Sequence, residues 1–333
     1  MSSPLAEAAA AIDYPDNGAA HRTRLRQHEL LLPPGSLGEL DELAVWAAGV
    51  QASVPPGEFE AAAVVVVGAE HGIAAAGVSA TTAADSGRLL DRLGAGSAPV
   101  HGIAAGLPVQ LLDTRDWAIA TPSGRIDVAD ALSADDVAVA IAHGMRCADE
   151  LAAAGVELIL ADTAGAGAST PAAALISVIT DTEPVRVVGR GSGIDDAAWI
   201  RKVAAVRDAR RRAMPHRGNV TALLGTAGGA DSAALTGLIV AAARRRVPVL
   251  LGGLPACAAA LVAQLVAPRV VRWLLAGQDS DDPGHRLALH RLAVPVVQHS
   301  RVQVEQGIGP VLALPTLRDA TRLYRGPVAD PAG

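Results

Sequence analysis

Residues 247–266 have the sequence VPVLLGGLPACAAALVAQLV, and this stretch contains the pattern that decides the fold. A continuously apolar run from Val247 to Leu251 leads into two glycines, and a run of helical length, Pro255 to Val266, follows. Short apolar runs without alternation are typical of strands buried on both faces of a sheet. The stretch therefore predicts a buried strand, a tight glycine turn and a helix that covers the sheet.

The same alternation recurs along most of the chain. The predicted strands are short runs rich in β-branched residues: Val64 to Val67, Glu157 to Leu160, Val185 to Val188, Val247 to Leu251, Val270 to Leu275 and Val294 to Val297. The predicted helices are longer segments between them: Asp130 to Ala154, Asp195 to Met214, Asp231 to Arg246 and Pro255 to Val266. Because strands that alternate with helices need crossover connections, we predict an α/β fold with a mainly parallel, Rossmann-like sheet covered by helices.

The N-terminal part of the chain has a different character. Its helical segments are interrupted by proline and glycine at 32–35 and 54–57, and it contains no predicted strand. We therefore expect residues 1–60 to form a small helical layer, which a C-terminal helix over 309–326 joins. Residues 61–308 are expected to form the α/β domain.

Composition excludes several classes of protein. The chain has 333 residues, of which 50% are hydrophobic but only 2% aromatic, so its core must consist of Ala, Val and Leu. The net charge is −6, and no basic stripe interleaves with aromatic residues, so we expect no nucleic-acid partner. No apolar run reaches the roughly 18 residues of a membrane span, and the N-terminus lacks the basic region of a signal peptide. We expect a cytoplasmic protein with no membrane partner.

The two cysteines, Cys147 and Cys257, are too few for a disulfide scaffold or a cysteine-ligated zinc site. We expect both to be buried thiols in the core. His285, His290 and His299 are spaced such that they cannot all lie on one helical face. We therefore expect no metal site.

Glycines follow several predicted strands, where ligands bind in open α/β sheets. They lie in four segments: 68–72, 161–169, 189–193 and 252–253. Segment 189–193 is predicted to connect a strand to a helix that starts at Asp195, so backbone N–H groups and a helix N-terminus would meet a phosphate there. The alternative is a structural glycine turn without a ligand.

An ordered set of short motifs resembles one protein family. The motifs are PPGSLGEL at 33–40, EHG at 70–72, GVSA at 77–80, VGRGSGIDD at 188–196 with Lys202 after it, GGAD at 228–231, AAAL at 258–261 and DPGH at 282–285. In this order they resemble the nicotinate-nucleotide:dimethylbenzimidazole phosphoribosyltransferases over roughly residues 25–325. The complete set is far more specific than any single motif.

The resemblance implies an enzyme of cobalamin lower-ligand assembly. Such an enzyme moves 5-phosphoribose from nicotinate mononucleotide to dimethylbenzimidazole, and it produces α-ribazole 5′-phosphate and nicotinate. One nitrogen of the benzimidazole attacks the anomeric carbon, and the other must lose a proton to a positioned carboxylate, which typically contributes about 10²- to 10⁴-fold. The resemblance also implies small-molecule substrates, a homodimer, and no metal or organic cofactor.

The resemblance assigns a set of candidate substrate-binding residues: Glu70, His71, Thr163, Gly165, Gly167, Gly189, Arg190, Gly191, Ser192, Gly193, Lys202, Asp282 and His285. It implies that the glycine loop 189–193 and Lys202 hold the phosphate, while an apolar pocket holds the flat base. His71 and His285 are expected either to orient loops through hydrogen bonds or to contact substrate.

The catalytic positions depart from the family pattern. Where the family has the Glu-Gly-Thr-Gly run that contains its base, residues 306–309 have the sequence QGIG, so Gln306 occupies the position of the base. An amide cannot accept the proton. Glu305 is adjacent, but on an extended chain it would point to the opposite face. The candidate catalytic residues are therefore Glu305 and Gln306.

Two further departures concern acidic residues. The family's Gly-Glu-Met-Gly-Ile-Gly-Asn-Thr-Thr corresponds to DTAGAGAST at 162–170, so Thr163 replaces the acid and Asp162 is displaced by one position. The family's Asp-Gly corresponds to Gly252 and Gly253. Two interpretations remain open: a working phosphoribosyltransferase, slow or with an altered acceptor, or a catalytically impaired paralogue. The paralogue would bind a nucleotide or base, or would pair with an active subunit and regulate it.

Overall fold

A parallel sheet forms the centre of the molecule in the computed structural model, which describes residues 3–33 and 35–326. Within these residues the six strands are β1 (Ala62–Gly68), β2 (Val109–Asp113), β3 (Leu158–Ala164), β4 (Val249–Leu251), β5 (Leu274–Gln278) and β6 (Val296–Gln298). Their order is β2-β1-β3-β4-β5-β6, and every neighbouring pair is parallel. The predicted α/β fold with a mainly parallel sheet is confirmed.

Helices cover this sheet. In the described part of the chain they are α1 (Pro4–Ala10), α2 (Asn17–Arg26), α3 (Glu39–Gln51), α4 (Ala83–Gly94), α5 (Pro99–Ile103), α6 (Ala134–Ala153), α7 (Ser169–Thr180), α8 (Asp196–Ala213), α9 (Val220–Ala227), α10 (Ala230–Arg244), α11 (Leu254–Val266), α12 (Pro283–Leu292) and α13 (Ile308–Leu323). Short 3₁₀ helices lie at Gly72–Ala76, Thr114–Asp116, Pro184–Arg186, Met214–His216 and Pro268–Trp273. Among the described residues, no helix is both long and apolar enough to cross a bilayer.

Small residues bring the covering helices close together, as the composition predicts. A Cβ atom at Gly144 of α6 would overlap the backbone of Ala234 in α10. In the reverse direction, a Cβ at Gly237 would overlap the backbone of Ile141. The two helices therefore pack backbone against backbone, and the core needs few aromatic residues.

Two strand predictions need correction. Val185 to Val188 is not a strand, because the N–H groups of Val187 and Val188 both bond to the carbonyl of Pro184 and close a turn. The run Val270 to Leu275 is mostly a 3₁₀ helix, and its strand begins only at Leu274. Strand β2 was not predicted, because it is a half-buried edge strand without a continuous apolar run.

The last helix, α13, packs against α3 in the N-terminal part of the chain. The Tyr324 hydroxyl, at the C-cap of α13, donates a 2.7 Å hydrogen bond to the buried Asp41 carboxylate of α3. Arg318 of α13 donates to the carbonyl of Phe59 at 2.9 Å. The division into a layer of residues 1–60 and a domain of residues 61–308 stays a prediction. Pro34, in the motif at 33–40, lies outside the described residues.

The strand order places a candidate site. The chain leaves β1 toward β2 on one side and later returns to β3 on the other, so β1 is the point at which the topology reverses. In open α/β sheets, ligands bind in the crevice beyond the carboxyl ends of strands at such a point. The relevant strand ends are Gly68 of β1 and Ala164 of β3.

Candidate functional site

A cavity of about 390 Å³ lies at these strand ends. Its size is in the range of small-molecule sites. It brings together four segments that are far apart in sequence, and its lining residues are Ser79, Thr81, Asp85, Ser86, Leu89, Ala164, Gly165, Ala166, Gly167, Ala168, Ser169, Gly191, Ser192, Gln303, Val304, Glu305 and Gln306. Six of the candidate site residues therefore line one space: Gly165, Gly167, Gly191, Ser192, Glu305 and Gln306.

The cation of the site is Lys202, which projects from α8 and is 1% exposed. Its Nζ donates to Ser169 Oγ at 2.9 Å and to the carbonyl of Gly189 at 3.2 Å. Burial lowers the pKa of Lys202, although the carboxylates of Asp282 and Glu305 act in the opposite direction. A bound anion would favour the charged lysine, so this corner of the cavity is suited to a phosphate.

The helix N-terminus that faces this corner belongs to α7. Ser169 is its first residue and lines the cavity, and no side chain caps this end of the helix. The N-terminus of α8, which sequence analysis favoured, is occupied instead, because the Asp195 carboxylate accepts a 2.8 Å bond from the N–H of Ala198. A lysine and an uncapped helix N-terminus together form an anion-binding corner.

The glycine loop passes directly over buried charged groups. A Cβ at Gly189 would overlap the Asp282 carboxylate. Gly191 has a φ of +50°, and a Cβ there would lie 2.8 Å from Ser169 Oγ and 3.0 Å from Lys202 Nζ. Glycine is therefore required at both positions for the backbone to approach the anion-binding corner.

Three other residues of the loop have different positions. The Arg190 guanidinium donates to the carbonyl of Ile194 at 2.9 Å and pairs with Asp196, so it points away from the cavity. Ser192 lines the cavity, and its Oγ accepts a 2.8 Å hydrogen bond from the N–H of Ala80. Gly193 has a φ of +86° and open space around it.

A narrow recess adjoins the cavity between Ser169, Gly191 and Glu305, and it also contacts Asp282 and His285. Asp282 caps α12, accepting bonds from the N–H groups of Gly284 (2.9 Å) and His285 (3.2 Å). Burial raises the pKa of Asp282, against the effect of Lys202. The His285 Nδ1 is 2.8 Å from Ser280 Oγ, and burial lowers its pKa to about 4, so the ring is neutral at neutral pH.

Glu70 and His71 line a neighbouring cavity of about 490 Å³, which shares Ser79, Thr81, Ser86 and Ala166 with the first. His71 Nε2 is 3.2 Å from the Asp231 carboxylate, and both side chains are 1% exposed. Burial alone would raise the pKa of Asp231, but the pairing with His71 and the bonds from His71 and Ser232 hold it below its usual value.

A turn at 305–307, just before α13, forms another part of the wall of the first cavity. Gln306 and Gly307 have φ values of +73° and +80°, and the Gln306 N–H donates to the carbonyl of Thr163 at 2.9 Å. Because this segment is a turn, the argument from an extended chain does not apply, and both Glu305 and Gln306 line the cavity. Burial raises the pKa of Glu305, while Lys202 opposes that shift.

Beneath this turn lies Asp162, which the sequence alone identifies only as an acid displaced by one position from the family pattern. It is fully buried in β3, and its Oδ2 accepts a 2.9 Å bond from the N–H of Gly307. Its Oδ1 accepts a 3.3 Å bond from the N–H of Gly253. Burial, and then the charge of Glu305, raises its pKa to about 7. The neighbouring candidate Thr163 has a fully buried side chain and does not line the cavity.

Chemically, the cavity offers an anion-binding corner at Ser169 and Gly191 and a carboxylate at Glu305 that interacts with Lys202, together with apolar surface. Leu89, Ala164, Ala166 and Ala168 supply that surface. Within residues 3–33 and 35–326, no group of three or more His, Cys, Asp and Glu side chains is placed to hold a metal ion. Such an arrangement suits a phosphorylated ligand next to a flat apolar group that loses a proton.

Comparison with known proteins gives consistent matches. A family model described as "Phosphoribosyltransferase" matches residues 12–330. The nicotinate-nucleotide–dimethylbenzimidazole phosphoribosyltransferase of Mycobacterium tuberculosis (strain ATCC 25618 / H37Rv) is 42% identical over 324 residues, which cover 93% of this chain and 90% of that protein. The protein of the same name from Mycobacterium avium (strain 104) is 43% identical, with 93% of each chain covered. The crystal structure of CobT from Thermus thermophilus is 30% identical and superimposes with a TM-score of 0.86 over 92% of this chain and 96% of that one.

Proposed function

The chain belongs to the nicotinate-nucleotide–dimethylbenzimidazole phosphoribosyltransferase family, and on this premise we propose that it transfers 5-phosphoribose from nicotinate mononucleotide to a benzimidazole-type base. The products are α-ribazole 5′-phosphate and nicotinate. One observation carries the proposal for this chain: Glu305 and Ser169, whose hydroxyl accepts a bond from the buried Lys202 Nζ, line a single cavity, although the family's base position holds Gln306.

The phosphate of nicotinate mononucleotide binds in the corner formed by Lys202, the N-terminus of α7 and the glycine loop 189–193. Lys202 supplies the charge, and Ser169 holds its Nζ in place. Gly189 and Gly191 allow the backbone to pass close to the phosphate. This corner positions the sugar, and it contributes binding energy rather than chemistry.

Glu305 acts as the general base. The attacking benzimidazole nitrogen forms a bond to the anomeric carbon while the bond from that carbon to the pyridinium nitrogen breaks. The electron pair stays on the pyridine ring, which becomes neutral, so nicotinate leaves without a general acid. The proton on the second benzimidazole nitrogen passes to the Glu305 carboxylate, whose raised pKa suits that role. Gln306 donates a hydrogen bond at most, since its amide cannot take the proton.

The remaining candidates support this arrangement. Asp282 and His285 line the recess next to Glu305, and Glu70 and His71 line the neighbouring cavity.

We also propose that the protein is a cytoplasmic homodimer with residues 1–60 and the C-terminal helix as a smaller domain. Sedimentation of the purified chain, alone and with any active paralogue from the same genome, distinguishes the homodimer from a heteromer.

A product assay tests the proposed function. The purified chain is supplied with nicotinate mononucleotide and dimethylbenzimidazole, and α-ribazole 5′-phosphate is quantified by chromatography. We expect product, and we expect Glu305→Gln to lose it while the exposed Glu150→Gln on α6 does not. Phosphate-dependent binding of the nucleotide without any product, with several benzimidazoles tried, would instead identify a catalytically impaired paralogue. Gln306→Glu, which keeps the side-chain volume, would then be expected to restore part of the turnover.

A further inference from the structure

Asp162 joins three elements of the fold beneath the candidate site. It belongs to β3, and its two carboxylate oxygens accept N–H groups from the residues that precede two different helices. Gly253 is the N-cap of α11, and Gly307 is the N-cap of α13. Because positive partial charge collects at helix N-termini, both helices favour a negative charge at this point. The carboxylate thus connects the sheet to the turn that presents Glu305.

The surrounding backbone leaves room for this carboxylate. A Cβ at Gly252 would overlap the Asp162 carboxyl carbon and lie 2.6 Å from its Oδ2. Residues 161 and 251 are paired in the β3–β4 register, so positions 162 and 252 are the next neighbours across the two strands. The absence of a side chain at 252 is therefore what allows the carboxylate to occupy this space.

The turn that Asp162 contacts is strained. Gln306 is a non-glycine residue in the left-handed region, a conformation that L side chains disfavour because of steric overlap with the backbone. Such conformations persist only where the surroundings hold them. Two bonds hold this one, and both come from β3: the Gln306 N–H to the Thr163 carbonyl, and the Gly307 N–H to Asp162 Oδ2.

We propose that Asp162 is a positioning residue, whose buried carboxylate fixes the 305–307 turn so that the Glu305 carboxylate enters the cavity. The proposal rests on the proposed function in so far as Glu305 is the base. The positioning of the turn itself does not depend on which reaction follows, so it can be measured separately.

The ionised form of Asp162 holds the turn more tightly than the protonated form, since hydrogen bonds to a charged acceptor are stronger. The titratable groups that face it are Glu305 from the turn and Cys257 from α11. Its pKa of about 7 places the change near neutral pH. As pH rises through that value the carboxylate ionises, the turn tightens and kcat rises.

Asp162→Asn is the direct test, because it keeps the shape and replaces one acceptor oxygen with a donor. We expect kcat to fall about 10- to 100-fold, the range for a misplaced catalytic group, while KM for nicotinate mononucleotide changes less than about threefold. The part of the kcat rise that follows the ionisation of Asp162 near pH 7 should disappear, and only the part that follows Glu305 should remain. The matched control is Asp41→Asn, which removes a buried carboxylate that binds Tyr324 at the other end of α13. It should leave kcat and its pH profile unchanged.

A relocation of the carboxylate gives the second test. Gly252→Asp alone should be inactive, because its side chain overlaps Asp162. In the double variant Asp162→Gly with Gly252→Asp, the carboxylate enters the same space from the neighbouring strand. We expect the double variant to turn over at least about tenfold faster than Asp162→Gly, the effect of one recovered hydrogen bond to a charged group.

Amide hydrogen exchange at Gly307 provides a readout that does not need activity. We expect the exchange rate at Gly307 to rise at least about tenfold in Asp162→Asn and to stay as in the wild type in Asp41→Asn. If the wild type makes no product, the proposed function fails, yet this exchange rate still decides the positioning role. Unchanged exchange at Gly307 in Asp162→Asn, or an unchanged kcat and pH profile in an active enzyme, would overturn the proposal.

Discussion

Two polar parts of the site, the proposed phosphate end at Lys202 and the carboxylate end at Glu305 and Asp162, are built on different principles. At the phosphate end, Lys202 already has two partners, Ser169 and Gly189, and glycine backbone forms the rest of the surface. At the carboxylate end, Asp162 is fully buried and Glu305 is half-buried, and none of the ion pairs among the described residues includes either. The phosphate end is therefore preorganised for binding, whereas the carboxylate end is sensitive to ionisation. Substitutions at the first should act on KM, and substitutions at the second on kcat.

The largest expected effect tests the carboxylate end. Glu305→Gln removes the proton acceptor without changing volume, so kcat should fall about 10²- to 10⁴-fold while nucleotide affinity stays close to that of the wild type. Steady-state kinetics at saturating dimethylbenzimidazole measure this. If the wild type is fast and Glu305→Gln is equally fast, Glu305 is not the base.

The next effect tests the phosphate end. Lys202→Ala should weaken binding of nicotinate mononucleotide by roughly 1.5–3 kcal/mol, the range for a hydrogen bond to a charged group. Titration calorimetry with nicotinate mononucleotide and nicotinate riboside checks it, because the riboside lacks the phosphate and should bind weakly to both proteins. Equal affinity of the wild type for nucleotide and riboside would remove the phosphate assignment.

The fold could largely be predicted from the sequence, and so could the glycines that line the proposed phosphate end, for a physical reason. Continuous apolar runs such as Val64 to Val67 specify buried strands, and glycines at strand ends specify close backbone approaches. The prediction of a strand at Val185 to Val188 is wrong because a short valine-rich run also occurs in a turn, where Val187 and Val188 are buried and Val185 is exposed.

The carboxylate end could not be predicted, because the close approach of Asp162 to Gly252 joins residues on neighbouring strands. The β3–β4 register decides whether residue 162 faces residue 252, and sequence alone does not specify that register. A signal was nevertheless present. The chain gains an acid at Asp162 and lacks one at Gly252 relative to the family pattern, and the two departures lie side by side in the structure.

The pH dependence of nucleotide affinity and of kcat separates the two ends, and its expected effect is smaller than those of the two substitutions above. Burial lowers the pKa of Lys202 in the free protein, and a bound phosphate would restore its charge. Above the lowered pKa of Lys202, binding of the nucleotide therefore takes up a proton. Affinity should therefore fall with rising pH, by no more than about tenfold per pH unit for one proton. In contrast, kcat should rise with pH through about 7 as Asp162 ionises, and the ionisation of Glu305 changes kcat in the same direction. An affinity and a kcat that change in the same direction with pH would contradict the division between the ends.

The smallest expected effect concerns a loop residue that belongs to the family motif but not to the cavity. Arg190 is exposed, its guanidinium binds the carbonyl of Ile194, and its ion partner is Asp196. Exposed ion pairs contribute about 0–1 kcal/mol, so Arg190→Ala should change KM for the nucleotide at most about fivefold. The control is Arg207→Ala, which removes the ion pair between Arg207 and Asp208 on α8. A loss as large as that of Lys202→Ala would show that the guanidinium turns toward the phosphate when the nucleotide binds. The anion-binding corner would then include the loop side chain, and the phosphate end would be less preorganised than its backbone geometry implies.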